Sequence, residues 1–189
     1  MRIKLIALAL SFVVAQRVTA QTPDADFATP PTSAQHFTIM STAGKHGTSA
    51  RWTGPDGTRI GRESLVLRGQ VFELDSTAHV GSDGMLDRVV VRGHTPNGDA
   101  AESFAIADGV ASWKSQVDAG SAPYHGTAEY KSFGGPIELN ADFLEALLVA
   151  PDRSLALLPG GRAHADALAT AIVGNDTAKK KVIAYAITG

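Results

Sequence analysis

The sequence predicts an α+β, β-dominated fold: a curved antiparallel meander sheet covered by one or two short helices. Three observations carry that expectation. Within residues 81–115 the turn signals Ser82-Asp83-Gly84, Pro96-Asn97-Gly98 and Asp108-Gly109 separate runs that alternate apolar and polar residues, the pattern of consecutive antiparallel strands. The long run 58–80 keeps changing face around Gly69, which predicts a bulge or bend and hence curvature. After Asn140 the apolar spacing switches to that of a helix, with Phe143, Leu144, Leu147 and Leu148 on one stripe.

Taken in order, residues 1–20 read as an export signal. Arg2 and Lys4 precede an apolar run, and Val18-Thr19-Ala20 supplies small residues for cleavage after Ala20. A periplasmic or secreted location is expected, with no transmembrane segment, because that run is shorter than the ~20 residues a bilayer requires. Residues 21–35, rich in Pro, Thr and Ala with Phe27 as the single aromatic, read as a flexible leader. A single β-rich domain is expected over 36–189, since ~170 residues suit one domain.

In that domain a first strand is predicted at 36–42 and a return at 48–52, closed by Pro55-Asp56-Gly57. The dense β-branched run Val89-Val90-Val91 predicts a strand buried on both faces or at the sheet centre. Residues 100–107 and 110–115 alternate and read as half-buried strands, and a short strand is expected at 127–131. Asn140 is the expected N-cap of the first helix, which Pro151 ends. An apolar run at 154–158 follows. The alanine-rich segment 163–173 predicts a second helix stopped by Gly174-Asn175, and 182–187 a final strand.

Composition excludes several functions. There are 17 basic and 19 acidic residues; without Arg2, Lys4 and Arg17 the count is 14 against 19, a net charge of −5, so a nucleic-acid partner is not expected. No cysteine is present, which rules out thiol nucleophiles, cysteine metal sites and disulfides. The six histidines show no ligand spacing such as His-x-His or HExxH. No catalytic residue, cofactor or metal is therefore assigned; His46 and His94, both in expected turns of one sheet, are the only metal candidates, against the simpler reading of exposed loop histidines.

Other motifs have plain structural explanations. Residues 61–65, GRESL, lack the second glycine of a GxSxG elbow. Pro159-Gly160-Gly161-Arg162, preceding the expected second helix, resembles a place for an anion, against the simpler reading, preferred here, of a glycine-rich turn between two packed helices. Asp56, Asp83 and Asp108 each precede glycine and serve turns. Glu63, Glu73 and Glu102 fall in strands where they could line one face. Trp52, Phe72, Phe104, Trp113 and Tyr130 read as core, or as the lining of an apolar cavity if the sheet's concave face is not filled.

A succession of segments carries a resemblance: STAGKHG (41–47), PDGT (55–58), RESLVLRGQ (62–70), DGMLDRVVVRG (83–93), TPNGDAAESFAIADGVASWKS (95–115), DAGSAPY (118–124) and LLPGGRAHADAL (157–168). Together they resemble the N-terminal, non-barrel region of exported bacterial proteins of the metal-dependent amidohydrolase superfamily. The resemblance implies a non-catalytic accessory module of a periplasmic C–N bond hydrolase, not active alone, whose partner is a catalytic barrel domain or chain. The family's His-x-His and its other metal ligands match no position here, and a (β/α)₈ barrel needs about 250 residues. The hydrolase half is thus expected to lie outside this sequence, which the resemblance implies to be either a fragment of such a protein or a stand-alone copy of its accessory region. The alternative from another class is a periplasmic carrier that holds a lipophilic ligand on the curved sheet.

Overall fold

The structure, a computed structural model, describes residues 26–172 and 179–188, and side chains outside 166–172 and 179–185. It is β-dominated, with two sheets and one α-helix. The first sheet is a curved antiparallel meander in the order β1 (Gln35–Ser41), β2 (Gly44–Thr53), β3 (Arg59–Leu67), β4 (Gln70–Val80), β5 (Leu86–Thr95), β7 (Glu102–Ala107), β8 (Val110–Lys114) and β9 (Ala119–Pro123); the two-residue β6 (Gly98–Asp99) pairs with β5. The turns at 55–57, 82–84, 96–98 and 108–109 are present, but the reversal after β1 falls at Thr42-Ala43, so His46 lies in β2 and His94 in β5 and neither is a turn residue. The run 58–80, however, is not one bent strand: Arg68 (φ 54°) and Gly69 (φ 79°) form a two-residue reversal between β3 and β4. Successive left-handed residues match the twist of a hairpin, and an arginine in the first position concealed the signal. Likewise 119–123, whose Gly120 and Pro123 give no strand signal, pairs with β8 as the edge strand β9.

The second sheet has the order β10 (Ala128–Tyr130), β11 (Ser154–Leu158), β12 (Arg162–Ile172), β13 (Lys179–Thr188). β10 and β11 are parallel and joined through α1 (Ile137–Val149), as a parallel pair requires a crossover. The helix expected at 163–173 is instead β12. Its alanines favour a helix in isolation, but Ala163 (0% exposed) and Ala165 (3%) alternate with an exposed His164, and pairing with β11 and β13 overrides the propensity. Gly174-Asn175 lies outside the described residues.

α1 begins one turn earlier than Asn140 suggests. Pro136 (φ −54°) precedes its first residue and offers no side-chain cap; the cap comes from another strand, because the Glu63 carboxylate on β3 accepts the Ile137 N–H at 3.0 Å. Asn140 Oδ1 instead accepts from Lys131 Nζ at 2.6 Å.

One face of the meander is covered. Val89 and Val91 are buried there while Val90 is 41% exposed, so β5 is buried on one face, not both, and lies at the centre of the sheet. Leu74, Phe104, Tyr130 and Leu139 join the two valines in one cluster; Phe143, Ala146 and Leu147 pack with Met85, Leu155 and Ala163 in a second. α1 therefore links both cores. Gly61 permits the close approach, since a Cβ there would lie 2.7 Å from Ser76 Oγ and 3.4 Å from Glu138 Cβ. Phe143→Ala, at a site 1% exposed, is expected to cost 3–5 kcal/mol. Urea unfolding measures it, and a loss below about 1 kcal/mol would show that the helix is not what joins the layers.

Candidate functional site

Pairing register decides which acids meet. Ser49 faces Glu63, Glu63 faces Leu74, and Val91 faces Glu102, so Glu63 and Glu102 project to the covered face. Glu73 sits one residue from Leu74 and belongs to the opposite face, so the three strand glutamates do not line one surface. The covered face gains three more acids that arrive from other elements: Glu138 and Asp142 from α1, and Glu129 from β10. All five are at most 7% exposed.

Each is engaged across layers. Glu138 accepts from the Ser49 hydroxyl. Asp142 pairs with Arg59 and, at 3.4 Å, with Arg51. Glu102 accepts Tyr130 OH (2.8 Å) and Phe133 N–H (2.9 Å) on one oxygen and Gly134 N–H (3.0 Å) on the other. Glu129 Oε2 accepts Leu86 N–H at 3.0 Å, whereas its buried Oε1 accepts no hydrogen bond. Burial pushes the Glu129 carboxyl up to about 7, and the Asp142 and Asp83 charges push the same way. Burial also holds Glu63 and Asp142 above the usual carboxylate range, the latter despite its two arginines. Apart from the Glu129 oxygen, this cluster fastens helix and second sheet to the meander.

The open face carries a second polar group. Asp75, 3% exposed, lies between Arg62 and Arg92. Glu73 accepts from Arg62 and from Ser64 Oγ, which places the serine of GRESL in a strand hydrogen bond with no elbow geometry. Residues 26–28, part of the segment 21–35 read from sequence as leader, lie on this face: Ala28 N–H donates to Asp75 Oδ2 at 2.7 Å, and Phe27 contacts Arg62 and His94.

His46 accompanies Ser41 Oγ (2.6 Å) beside the β1–β2 turn. Thr48, two residues on, pairs with Ser64, Ser64 with Glu73, and Glu73 with His94. Three inter-strand steps of about 4.8 Å separate the two histidines, too far for one metal ion. Among the described residues no group of three or more His, Cys, Asp or Glu is placed to hold a metal. Pro159-Gly160-Gly161 turns β11 into β12 and Arg162 donates to Ser154 Oγ at 3.0 Å; with no helix following, the anion site is not formed. Asp56 and Asp83 bond the turn amides of Thr58 (3.1 Å) and Met85 (3.0 Å), as turn chemistry predicts.

A cleft of about 480 Å³ lies at the ends of β3, β4 and β5, lined by Asp56, Thr58, His79, Asp87 and Arg88. His79 Nδ1 lies 2.7 Å from Asp87 Oδ1, but both side chains are at least one-third exposed, where such a pair is worth little. Phe104 and Tyr130, possible cavity liners, stack on each other at 4.3 Å inside the core, and Trp113 donates its indole N–H to Asp118 at 2.8 Å. Among the described residues no helix is long and apolar enough to cross a membrane.

Sequence reasoning missed Asp75 and Glu129. A lone acid in a strand gives no sign of which face it takes until the register is fixed. Comparison with protein-family models, with curated proteins and with solved structures finds no match to this chain.

Proposed function

We propose that this chain is a non-catalytic accessory module, of the kind that precedes the catalytic barrel in exported amidohydrolases, and that its partner is such a barrel. The order of the seven sequence segments suggests the family. The observation that carries the accessory reading is the use of the buried carboxylates: Glu63, Glu102, Glu138 and Asp142 all hold layers together, and the one that borders a sizeable cleft, Glu138 beside the groove of about 420 Å³ between β1 and α1, is engaged by the Ser49 hydroxyl. The carrier reading has less support, because the stacked Phe104 and Tyr130 occupy the centre of the covered face where an apolar ligand would lie.

Two measurements test the proposal. The mature chain is expected to show no amide hydrolysis above buffer and no stoichiometric zinc by elemental analysis; stoichiometric zinc lost on His46→Ala or His94→Ala would overturn it. Co-expressed with the barrel of an exported amidohydrolase deprived of its own β-rich lead, the chain is expected to co-elute and to raise the barrel's activity by about tenfold or more, the scale of one well-placed supporting interaction. Separate elution with no change in activity would count against the partner.

A further inference from the structure

Residues 26–28, which bend across the open face and are not a strand, are held there by contacts that would serve any peptide of the same shape. Arg92 donates to the main-chain oxygen of Asp26, and Asp75 accepts the main-chain N–H of Ala28 at 2.7 Å. Between those two anchors the Phe27 ring lies under the Arg62 guanidinium, whose carbon is 4.3 Å from the ring centre, and meets His94 edge-on at 5.5 Å and 87°. Gly93 leaves room for the ring: a Cβ there would stand 3.0 Å from Phe27 Cε1. The face thus reads a carbonyl, then an aromatic side chain, then an amide, which is how groove recognition combines main-chain bonds with a side-chain pocket.

Two features indicate that residues 26–28 do not fill this site. Asp75 is 3% exposed and its Oδ1 accepts no hydrogen bond, the Arg62 Nε being 3.8 Å away. A buried carboxylate oxygen left in this way has capacity for a further donor. Beside the Ala28 methyl there remains a cavity of about 150 Å³, lined by Ala28, Ile60, Asp75, Thr77, Val90 and Arg92. A larger aliphatic side chain at that position would occupy it.

We propose that the open face of β3–β5 is a binding site for a short, bent peptide segment of a partner protein, an aromatic residue followed by a large aliphatic one, and that residues 26–28 occupy it in cis as a weaker ligand. The contacts involved lie on the face opposite α1, and the proposal stands independently of the accessory-module reading. A tethered segment competes at millimolar effective concentration, so the site is masked unless the incoming peptide makes better contacts.

Fluorescence anisotropy with a labelled Asp-Phe-Leu-Thr peptide and the full mature chain tests this. Phe27→Ala, which weakens the cis segment, is expected to bind the peptide saturably and about tenfold more tightly than wild type. Asp-Phe-Ala-Thr is expected to bind more weakly, and Asp-Ala-Leu-Thr not at all. Adding Arg62→Leu or Asp75→Asn to Phe27→Ala should abolish binding, with circular dichroism confirming the fold; Arg62, less buried than Asp75 at 19% side-chain exposure, serves if Asp75→Asn does not fold. In wild type, millimolar peptide is expected to displace residues 26–28 and shift the His94 ring protons in NMR, which keeps the result independent of the folding of Phe27→Ala. No saturable binding to a folded Phe27→Ala chain together with unmoved His94 signals, or binding indifferent to Arg62→Leu and Asp75→Asn, would overturn the proposal.

Discussion

Between pH 5 and pH 8 the chain is expected to lose about 2.5 kcal/mol of stability through Glu129 alone, and Glu129→Gln is expected to remove that loss. The folded-state carboxyl sits at about 7 against an ordinary 4.5. Since the folded value lies above the unfolded one, the native state binds the extra proton across that interval, and stability falls as pH rises through it. Above pH 7 the folded state carries a buried anion with one unpartnered oxygen. Glutamine keeps an acceptor for Leu86 N–H and has no charge to bury. Its unpaired amide group costs a similar amount at either pH, so the informative quantity is the difference: Glu129→Gln should gain about 2.5 kcal/mol relative to wild type on going from pH 5 to pH 8. Urea unfolding at the two pH values gives it directly. Glu63 and Asp142 are also raised and leave a residual slope of the same sign. An unchanged slope in the variant would mean that Glu129 is solvated in the native state.

Glu102→Ala is expected to be among the most destabilising single changes in the chain, at about 4 kcal/mol. The carboxylate is 2% exposed and serves three donors, Tyr130 OH and the N–H groups of Phe133 and Gly134. Truncation leaves all three without an acceptor, at roughly 1–3 kcal/mol for each buried group, and opens a void beneath the Phe104–Tyr130 stack. It also releases the segment that sets where α1 begins. Glu102→Gln retains one oxygen and is expected to cost about half as much. Hydrogen exchange supplies a second measurement: the Phe133 and Gly134 amides should lose protection before the strands of the meander do. If Glu102→Ala unfolds within about 1 kcal/mol of wild type, water replaces the carboxylate and the cross-layer bonds are not what positions the helix.

The meander was legible because its information is local. Turn residues such as Asp83-Gly84 and Asp108-Gly109 act within four positions, and alternation acts within one strand. Where a local signal was weak or ambiguous, the reading failed. Arg68-Gly69 reverses the chain with an unusual first residue, and the alanines of 163–173 suit a helix until a neighbouring strand pairs with them. The candidate sites were less legible still. A helix cap supplied by Glu63 from 74 residues away, or a carboxylate isolated between β10 and the β4–β5 turn, depends on pairs that only the closed fold brings together.

The sequence by itself determined the β-dominated class, most strands of the first sheet, a helix that stops before Pro151 and the absence of cysteine chemistry. Only the tertiary structure decided that Glu63 and Glu102 turn inward while Glu73 and Asp75 turn outward, that residues 26–28 lie across the open face, and that β12 is a strand. The physical reason is the same in each case. Side-chain direction in a strand has a period of two, so the face a residue takes is undefined until its partner and register are chosen, and that choice is made by burial across the whole domain.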